Sequence, residues 1–393
     1  DDLVVGTYGR GYYILDDVSP LRSIGPDMSD LEFFDVRDGY RFSSKESIKT
    51  DGPSYNSGRN PTYGVPLNYY LMDTTAKTMS LTIEDANGEV IRTLKTAKKE
   101  GLNRVWWDLR YEPTYKPKLR TIPPGRPWVQ LNGEGWRPLV TWDLDLWRGQ
   151  FGPRVVPGAY TAVLTVNGQT FRQTFNVLQD PTSNGTLEDI QKQVDLSLEM
   201  RDAMNIAVNM INKIEIIRME LVELKPTLTK KSDIKEAERL ETAATDIAAQ
   251  LYDIHLTGAR EDAFRSPMKL YGRISAVASD LSASGIDFAP TDQQGEVYQV
   301  LNQRLMNAKD DFDTLIGAGQ TIEAAVRAVP GAADVSLEQT SGLPVLTLIP
   351  DREAMNRLGL SLQALQDYVA MALGGEVVGQ LYEGDRRFDI VLR

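Results

Sequence analysis

The sequence contains no cysteine and a single histidine, His255. The absence of cysteine excludes disulfide bonds, thiolate metal sites, iron–sulfur clusters and a cysteine nucleophile. One histidine cannot build a multi-histidine zinc site, and a Ser-His-Asp triad would have to use His255. We instead expect His255 to lie in the last turn of a helix before Gly258, where a cation complements the helix dipole. We therefore assign no catalytic residue, no metal site and no cofactor.

The sequence also lacks a long apolar run. No run approaches the roughly 18–20 residues that cross a bilayer, so we predict no membrane span. The chain has 43 Lys+Arg against 55 Asp+Glu, a net charge of -12. This balance disfavours nucleic acid or anionic lipid as a partner of the whole chain, because both require a basic surface. At 393 residues the chain is long enough for several domains.

Two residue types are unevenly distributed. All six tryptophans lie between Trp106 and Trp147, and no lysine follows Lys309. At the preceding lysine frequency, about four would be expected in that tail. The tail is therefore predicted to have a different origin. Since the chain begins in one strand pattern and ends in another, we also expect it to be a fragment of a longer protein.

The first half of the chain is predicted to be β-structure. Apolar runs around Tyr8-Gly9-Arg10-Gly11 predict a hairpin from Leu3 to Asp17, which needs further strands to be stable. Alternating runs from Asn68 to Val177, with turns at Asn87-Gly88 and Asn167-Gly168, predict an antiparallel β-sandwich of immunoglobulin type. A segment rich in Pro, Gly and Trp interrupts this sandwich.

The second half is predicted to be mainly helical. Thr186 and Asp189 form a capping box, and the apolar spacing that follows is helical until Pro226. Further helices are predicted over Ser232–Leu256, from Ser266-Pro267 to Gly285, and from Thr291 past Leu305, which together form a bundle. The tail predicts a small α/β unit, with a strand-turn-strand over Asp334–Pro350, a helix over Asp351–Leu373 and a final hairpin in GQLYEGDRRFDIVLR.

Two parts of the chain resemble known families. The segment GTYGRGYYILDDVSPLR (Gly6–Arg22), GLNRVWWDLRYEP (Gly101–Pro113) and VVPGAYTAVLTVNGQT (Val155–Thr170) resemble bacterial sortilin-like, BNR-repeat β-propeller proteins that are often labelled glycosyl hydrolases. This resemblance covers roughly residues 1–310. It implies that the first hairpin closes a propeller. Tyr8 stands where that family usually has histidine.

The tail is similar to a different family. The segments VPGAADV, QTSGLPVLT, ALGG and GQLYEGDRRFDIV between Val326 and Arg393 look like the periplasmic porter and docking region of heavy-metal efflux pumps of the resistance-nodulation-division (RND) class. The junction is expected between Lys309 and Gly319. A natural fusion and an assembly or gene-model error both remain open as its cause.

Together these patterns predict a multi-domain α+β chain. Its parts are the last strands of a truncated β-propeller (1–24), a β-sandwich (25–180) with a Trp-rich insertion (114–153), an α-helical bundle (181–316), and a small α/β fragment like an RND porter and docking region (317–393).

The tryptophan-rich insertion supplies the candidate ligand-binding residues. In TWDLDLW, side chains alternate between two faces and place aromatic rings beside carboxylates, a combination that suits sugar binding. The alternative is that the rings fill domain interfaces. The candidates are Trp136, Trp142, Asp143, Asp145 and Trp147.

The main functional hypothesis is a non-catalytic, extracytoplasmic protein. The chain would be the C-terminal portion of a secreted or periplasmic propeller protein, with a scaffold or interaction role, fused to a fragment of an RND transporter. Its partners would be the missing N-terminal propeller and a protein or glycan. One alternative is a part of a metal-cation efflux system. Another is an accessory or carbohydrate-binding module of a glycosyl hydrolase.

Overall fold

The computed structural model describes residues 2–9, 11–25, 28–42, 62–73, 78–140, 149–265, 267–283, 286–327, 376–383 and 386–392. The chain divides into two compact units, Asp1–Thr340 and Ser341–Arg393. Within the described ranges, no helix is both long enough and apolar enough to cross a membrane.

The first strands form a separate ribbon. Strand β1 (Leu3–Thr7) pairs antiparallel with β2 (Gly11–Leu15), as the glycine-rich turn predicts. Every residue of both strands is exposed, including Val5 and Tyr13, which lie opposite each other. The ribbon therefore presents apolar side chains on both faces. A short helix, α1 (Ser19–Ser23), follows it.

Two sheets face each other across one apolar core. In the described part of the chain, the larger sheet has the strand order β4 (Gly39–Arg41), β12 (Gln169–Gln179), β11 (Gly158–Val166), β6 (Met79–Glu84) and β7 (Val90–Leu94). The smaller sheet has the order β3 (Leu31–Phe33), β5 (Val65–Leu71) and β8 (Gly101–Trp107). The antiparallel pattern has an exception, because β4 and β12 run parallel.

Alternation along the strands builds the sandwich core. Leu81 and Leu164 come from the larger sheet and Leu67 from the smaller one, and all three are fully buried. Trp107 lies among them with its ring centroid 5.3 Å from that of Tyr160. Trp107 therefore fills the core of the sandwich, and it is not one of the candidate ligand-binding residues.

The predicted Asn-Gly turns both occur at hairpins. Asn167 and Gly168 join β11 to β12 with φ of 48° and 85°, and Gly88 between β6 and β7 has φ of 82°. At Asn167-Gly168 both central residues have positive φ, which is the geometry of the turn that matches the twist of paired strands, and asparagine and glycine tolerate it.

The helical bundle consists of long helices around a second apolar core. Thr186 Oγ1 accepts from the N–H of Asp189, whose carboxylate accepts from the N–H of Thr186, so the predicted capping box begins the first long helix. The helices are α2 (Leu187–Leu224), α3 (Lys231–Leu251), α4 (Asp262–Arg265), α5 (Leu270–Ala283) and α6 (Asp292–Arg327).

Helix α6 continues through the predicted domain boundary. It runs to Arg327, so the boundary placed at residues 316/317 lies inside a helix. In the second unit, β13 (Glu376–Glu383) pairs antiparallel with β14 (Arg386–Leu392), where a hairpin was predicted. The predicted strand-turn-strand at Asp334–Pro350 and helix at Asp351–Leu373 lie outside the described residues.

Candidate functional site

A mostly irregular segment, which we call the strap (residues 111–140), is hydrogen-bonded to helix α2. It contains the short strands β9 (Lys118–Leu119) and β10 (Arg137–Pro138). The side-chain oxygen of Asn205 accepts from the N–H of Tyr115 at 2.8 Å, and that of Asn212 accepts from the N–H of Lys118 at 2.7 Å. Because seven residues make nearly two helical turns, both asparagines lie on one face of α2.

Glu215, three residues further along α2, is the centre of this attachment. Its side chain is fully buried, and Oε2 accepts from the N–H groups of Arg120 at 2.6 Å and Thr121 at 2.9 Å. Oε1 accepts from Arg218 Nη1 at 2.7 Å and from the Tyr252 hydroxyl at 2.5 Å. Such a carboxylate has few acceptor positions left and no access to a ligand, so it holds the strap instead of performing chemistry.

The groups around Glu215 are held in the protonation states that suit this role. Burial, followed by the charge of Glu215, raises the pKa of Tyr252 well above its ordinary value, so the phenol remains a donor. Burial also lowers the pKa of Arg137, while the charge of Glu215 opposes that shift. Arg137 donates to the carbonyl of Leu256 at 2.7 Å. The cluster therefore ties the second half of the strap to the loop after α3 as well.

The chain leaves the sandwich at the start of the strap and returns to it at Pro153, and these two points are neighbours. The N–H of Tyr111 donates to the carbonyl of Pro153 at 2.9 Å, and the N–H of Val155 donates to the carbonyl of Leu109 at 2.9 Å. A Cβ at Gly152 would lie 1.9 Å from the Tyr111 carbonyl oxygen. Only glycine allows the outgoing and returning backbones to approach this closely.

A second buried cluster, which we call the Arg41 junction, joins the sandwich to the bundle. It comprises Arg41 on β4, Arg154, Gln193 on α2, and Asp287 beyond α5. Arg41 donates through Nη1 to Asp287 and through Nη2 to Gln193 Oε1 at 3.1 Å. Arg154 Nη2 lies 3.8 Å from the same Asp287 oxygen.

The Arg41 junction has more positive than negative charge. Burial, followed by repulsion from Arg154, lowers the pKa of Arg41 to about 9. Arg41 Nε and Arg154 Nη2 are buried and have no hydrogen-bond partner among the residues that the structure describes. Two guanidinium groups thus share one carboxylate, which makes this junction electrostatically unfavourable compared with the Glu215 cluster.

Trp136 is the only residue of the predicted ligand set that lies within the described ranges. It is half-buried on the strap, its indole N–H donates to Glu134 Oε2 at 2.8 Å, and Lys118 Nζ lies 5.0 Å from its ring centroid. Trp142, Asp143, Asp145 and Trp147 lie outside the described residues. A ligand site formed by these five residues therefore stays a prediction.

His255 does not lie in the last turn of a helix. Helix α3 ends at Leu251 because Tyr252 takes an extended conformation, with φ -149° and ψ 162°, and its hydroxyl reaches Glu215. The exposed His255 ring instead lies beside Asp253, with Nδ1 3.1 Å from Oδ1. Among the residues that the structure describes, no three His, Cys, Asp or Glu side chains form a group that could hold a metal ion.

The sequence interpretation missed Glu215 and the Arg41 junction. A signal for Glu215 was present, because it lies between Ile214 and Ile216 in a helix whose neighbouring positions are core. A charged residue at such a position is buried and must be paired. Arg41 offered no comparable signal, since its partner Asp287 lies far along the chain in a loop.

Comparison with known proteins identifies relatives of the C-terminal part. The sequence profile of the AcrB/AcrD/AcrF family matches residues 254–393. Protein HelA of Legionella pneumophila is 50% identical over 84 residues, which is 21% of this chain and 8% of HelA. The cobalt-zinc-cadmium resistance protein CzcA of Cupriavidus metallidurans is 45% identical over 84 residues, and the nickel and cobalt resistance protein CnrA of the same species is 40% identical over 84 residues, with the same shares of each chain.

The chain thus spans about 8% of the length of these curated relatives. No solved structure matches it significantly. The family match begins within the helical bundle, at residue 254, so the resemblance of residues 1–310 to propeller proteins stays a prediction. The C-terminal part of the chain is similar to heavy-metal efflux proteins of the RND class, as its motifs predicted.

Proposed function

We propose that the chain takes part in the export of metal cations, as an extracytoplasmic component of an RND-type efflux system. The observation that carries this proposal is the similarity of the tail, at 40–50% identity, to HelA and to proteins named for resistance to cobalt, zinc, cadmium and nickel. The segment GQLYEGDRRFDIV, within Gly379–Val391, lies in the β13–β14 hairpin. In our proposal this hairpin belongs to the porter and docking region.

The remainder of the chain would act as a scaffold without catalytic chemistry. Two attachments, the strap and the Arg41 junction, connect the sandwich to the helical bundle through buried hydrogen bonds. Glu215, a buried carboxylate that could have suggested an active site, is engaged in holding backbone. This supports a non-catalytic, scaffold role for the first unit.

The proposal is tested by deleting the gene in the organism that encodes the chain. We expect the deletion strain to tolerate less cobalt, nickel or zinc and to accumulate more of the metal in its cells. The full chain should restore tolerance, whereas a version that ends at residue 316 should not. Unchanged tolerance and unchanged metal content in the deletion strain would refute the proposal.

A second candidate function, a brace for a β-propeller, is favoured by the first hairpin. An isolated two-stranded ribbon is at best marginally stable in water, yet β1 and β2 expose apolar residues on both faces. The ribbon is anchored at its base, where Arg104 donates to the carbonyls of Asp16 at 3.1 Å and Asp17 at 2.8 Å. It is therefore positioned to complete a larger sheet.

Hydrogen exchange on the protein purified from its native source tests this second candidate. Strands built into a larger sheet would protect the amides of Val4 and Tyr13 for minutes or longer. Exchange at the rate of free peptide would contradict it and would leave the export proposal unaffected.

A further inference from the structure

The outer face of the helical bundle contains a groove between α5 and α6. Its volume is about 690 Å³, within the range of roughly 300–1,000 Å³ that is typical of small-molecule sites. Its apolar lining is aliphatic or thioether, and contains Met268, Ala276, Val277, Val297, Val300 and Leu301. Val297 and Val300 are about half exposed although they lie beside a packed core.

One end of the groove is cationic. Arg273 and Arg304 line it, and both also line an adjoining pocket of about 350 Å³ to which Lys269 contributes. Arg304 and Lys269 form no ion pair within the described ranges. Among the described residues Arg273 forms no ion pair either, so these three side chains make a local cluster of positive charge in a chain with a net charge of -12.

The other end of the groove is different. Glu296, the acidic residue of the lining, lies eight residues before Arg304 on α6, a distance of roughly 12 Å along the helix axis. The valines lie between them. The groove thus has an apolar middle with positive charge at one end and negative charge at the other.

We propose that this groove binds a single-chain anionic amphiphile, with its carboxylate or similar head group at Arg273, Arg304 and Lys269. The alkyl chain would lie along Val300 and Val297 and end near Glu296. The charge distribution accounts for the sign of the head group, and the aliphatic lining suits an alkyl chain, which needs no hydrogen-bond partners. The length between the two ends is that of a medium-length alkyl chain.

Titration of the full chain with dodecanoate, below the concentration at which it forms micelles, tests this site by calorimetry. Reversing the charge at the head-group end with Arg304→Glu should weaken binding at least about tenfold. Placing a charge in the apolar middle with Val300→Asp should weaken it to a similar extent. Dodecyltrimethylammonium and dodecanol, which lack the negative charge, should bind at least about tenfold more weakly than dodecanoate.

The matched controls carry the same changes outside the groove. Val222 on α2 is 55% exposed, close to the 54% of Val300, and Arg260 is exposed in the loop after α3. Val222→Asp and Arg260→Glu should leave the affinity within about twofold of the parent chain. Equal binding of the cationic amphiphile, equal weakening by the controls, or no binding of dodecanoate would overturn the proposal. An acidic amphipathic peptide that binds through Arg304 where dodecanoate does not would also overturn it.

Discussion

Two buried clusters attach the sandwich to the helical bundle, and they differ in the ratio of carboxylates to positively charged groups. At Glu215 one carboxylate receives backbone N–H groups, a guanidinium and a phenol. At Asp287 two guanidinium groups share a carboxylate, and in the described part of the chain Arg41 Nε has no hydrogen-bond partner. The charged groups at Glu215 all have hydrogen-bond partners, whereas those at Asp287 do not within the described residues. We therefore expect the molecule to depend much more on Glu215 than on either arginine of the Arg41 junction.

The largest effect is expected from Glu215→Ala. The change leaves Arg218, the Tyr252 hydroxyl and two strap N–H groups buried without their acceptor. Removing one partner of a buried charged cluster costs about 3–5 kcal/mol of unfolding free energy. Denaturant unfolding followed by circular dichroism measures it. Glu223→Ala, at an exposed position of the same helix, should change stability by less than about 0.5 kcal/mol.

A smaller loss is expected from Arg154→Met. The variant loses the hydrogen bond from Nη1 to the Phe42 carbonyl, at 3.0 Å, but it also removes the repulsion that Arg41 experiences. We expect a cost of about 1–2 kcal/mol in the same unfolding measurement. Arg172→Met, which breaks an exposed pair with Glu84, should cost less than about 1 kcal/mol. If Arg154→Met lowers the unfolding free energy as much as Glu215→Ala does, the expected difference between the two clusters is wrong.

A third contact with the helical bundle, between Gln150 and Tyr271, contains no charged group, and its contribution to stability should depend on pH. Tyr271 on α5 is fully buried, its hydroxyl accepts from Gln150 Nε2 at 3.1 Å, and burial raises its pKa to about 12. An unfolded tyrosine ionises near pH 10, so the stability from Tyr271 is complete below about pH 10 and is lost as pH rises through about 12.

Tyr271→Phe should therefore cost about 1 kcal/mol at neutral pH, where the hydrogen bond is lost. It should also remove about 2–3 kcal/mol from the fall in stability between about pH 10 and 12. Thermal or urea unfolding at a series of pH values measures both. Tyr115→Phe, at an exposed position, should leave the pH profile unchanged. If Tyr271→Phe and the parent chain lose the same stability between about pH 10 and 12, ionisation of Tyr271 does not cause that loss.

The smallest effect is expected in the first hairpin. Tyr13 is 59% exposed, so Tyr13→Lys should change the unfolding free energy of this chain by less than about 0.5 kcal/mol. Light scattering should show less self-association, because a charge then interrupts an apolar ribbon. A loss above about 1 kcal/mol would mean that the ribbon is covered by another part of the chain.

Local signals predicted the elements of this fold better than their limits. The Asn167-Gly168 turn and the Thr186 capping box need only neighbouring residues, and both occur where they were predicted. The end of α3 depends on a distant partner. Helix α3 stops at Leu251 as Tyr252 turns toward Glu215, which no local pattern indicates.

The attachments were harder to predict than the elements. The tryptophans predicted a ligand site in the insertion, whereas the structure shows that the strap is held by backbone N–H groups that bind Asn205, Asn212 and Glu215. Every residue except proline carries the same backbone N–H group, so composition does not indicate which of these groups bind a distant side chain. The sequence does indicate the side chain that these groups bind, because Glu215 lies between two isoleucines in a helix.

The closeness of Tyr111 and Pro153, where the chain leaves the sandwich and returns to it, has an evolutionary consequence. Because these two residues are hydrogen-bonded neighbours, the residues between them, which include the strap, could be gained or lost as an insertion without moving either sheet. Loss of the strap would nevertheless remove two backbone hydrogen bonds from Glu215. The unpaired carboxylate would then destabilise the protein, so selection would favour its replacement. Strap and glutamate should therefore be inherited together, and homologues with a short connection at this point should carry an apolar residue in place of Glu215.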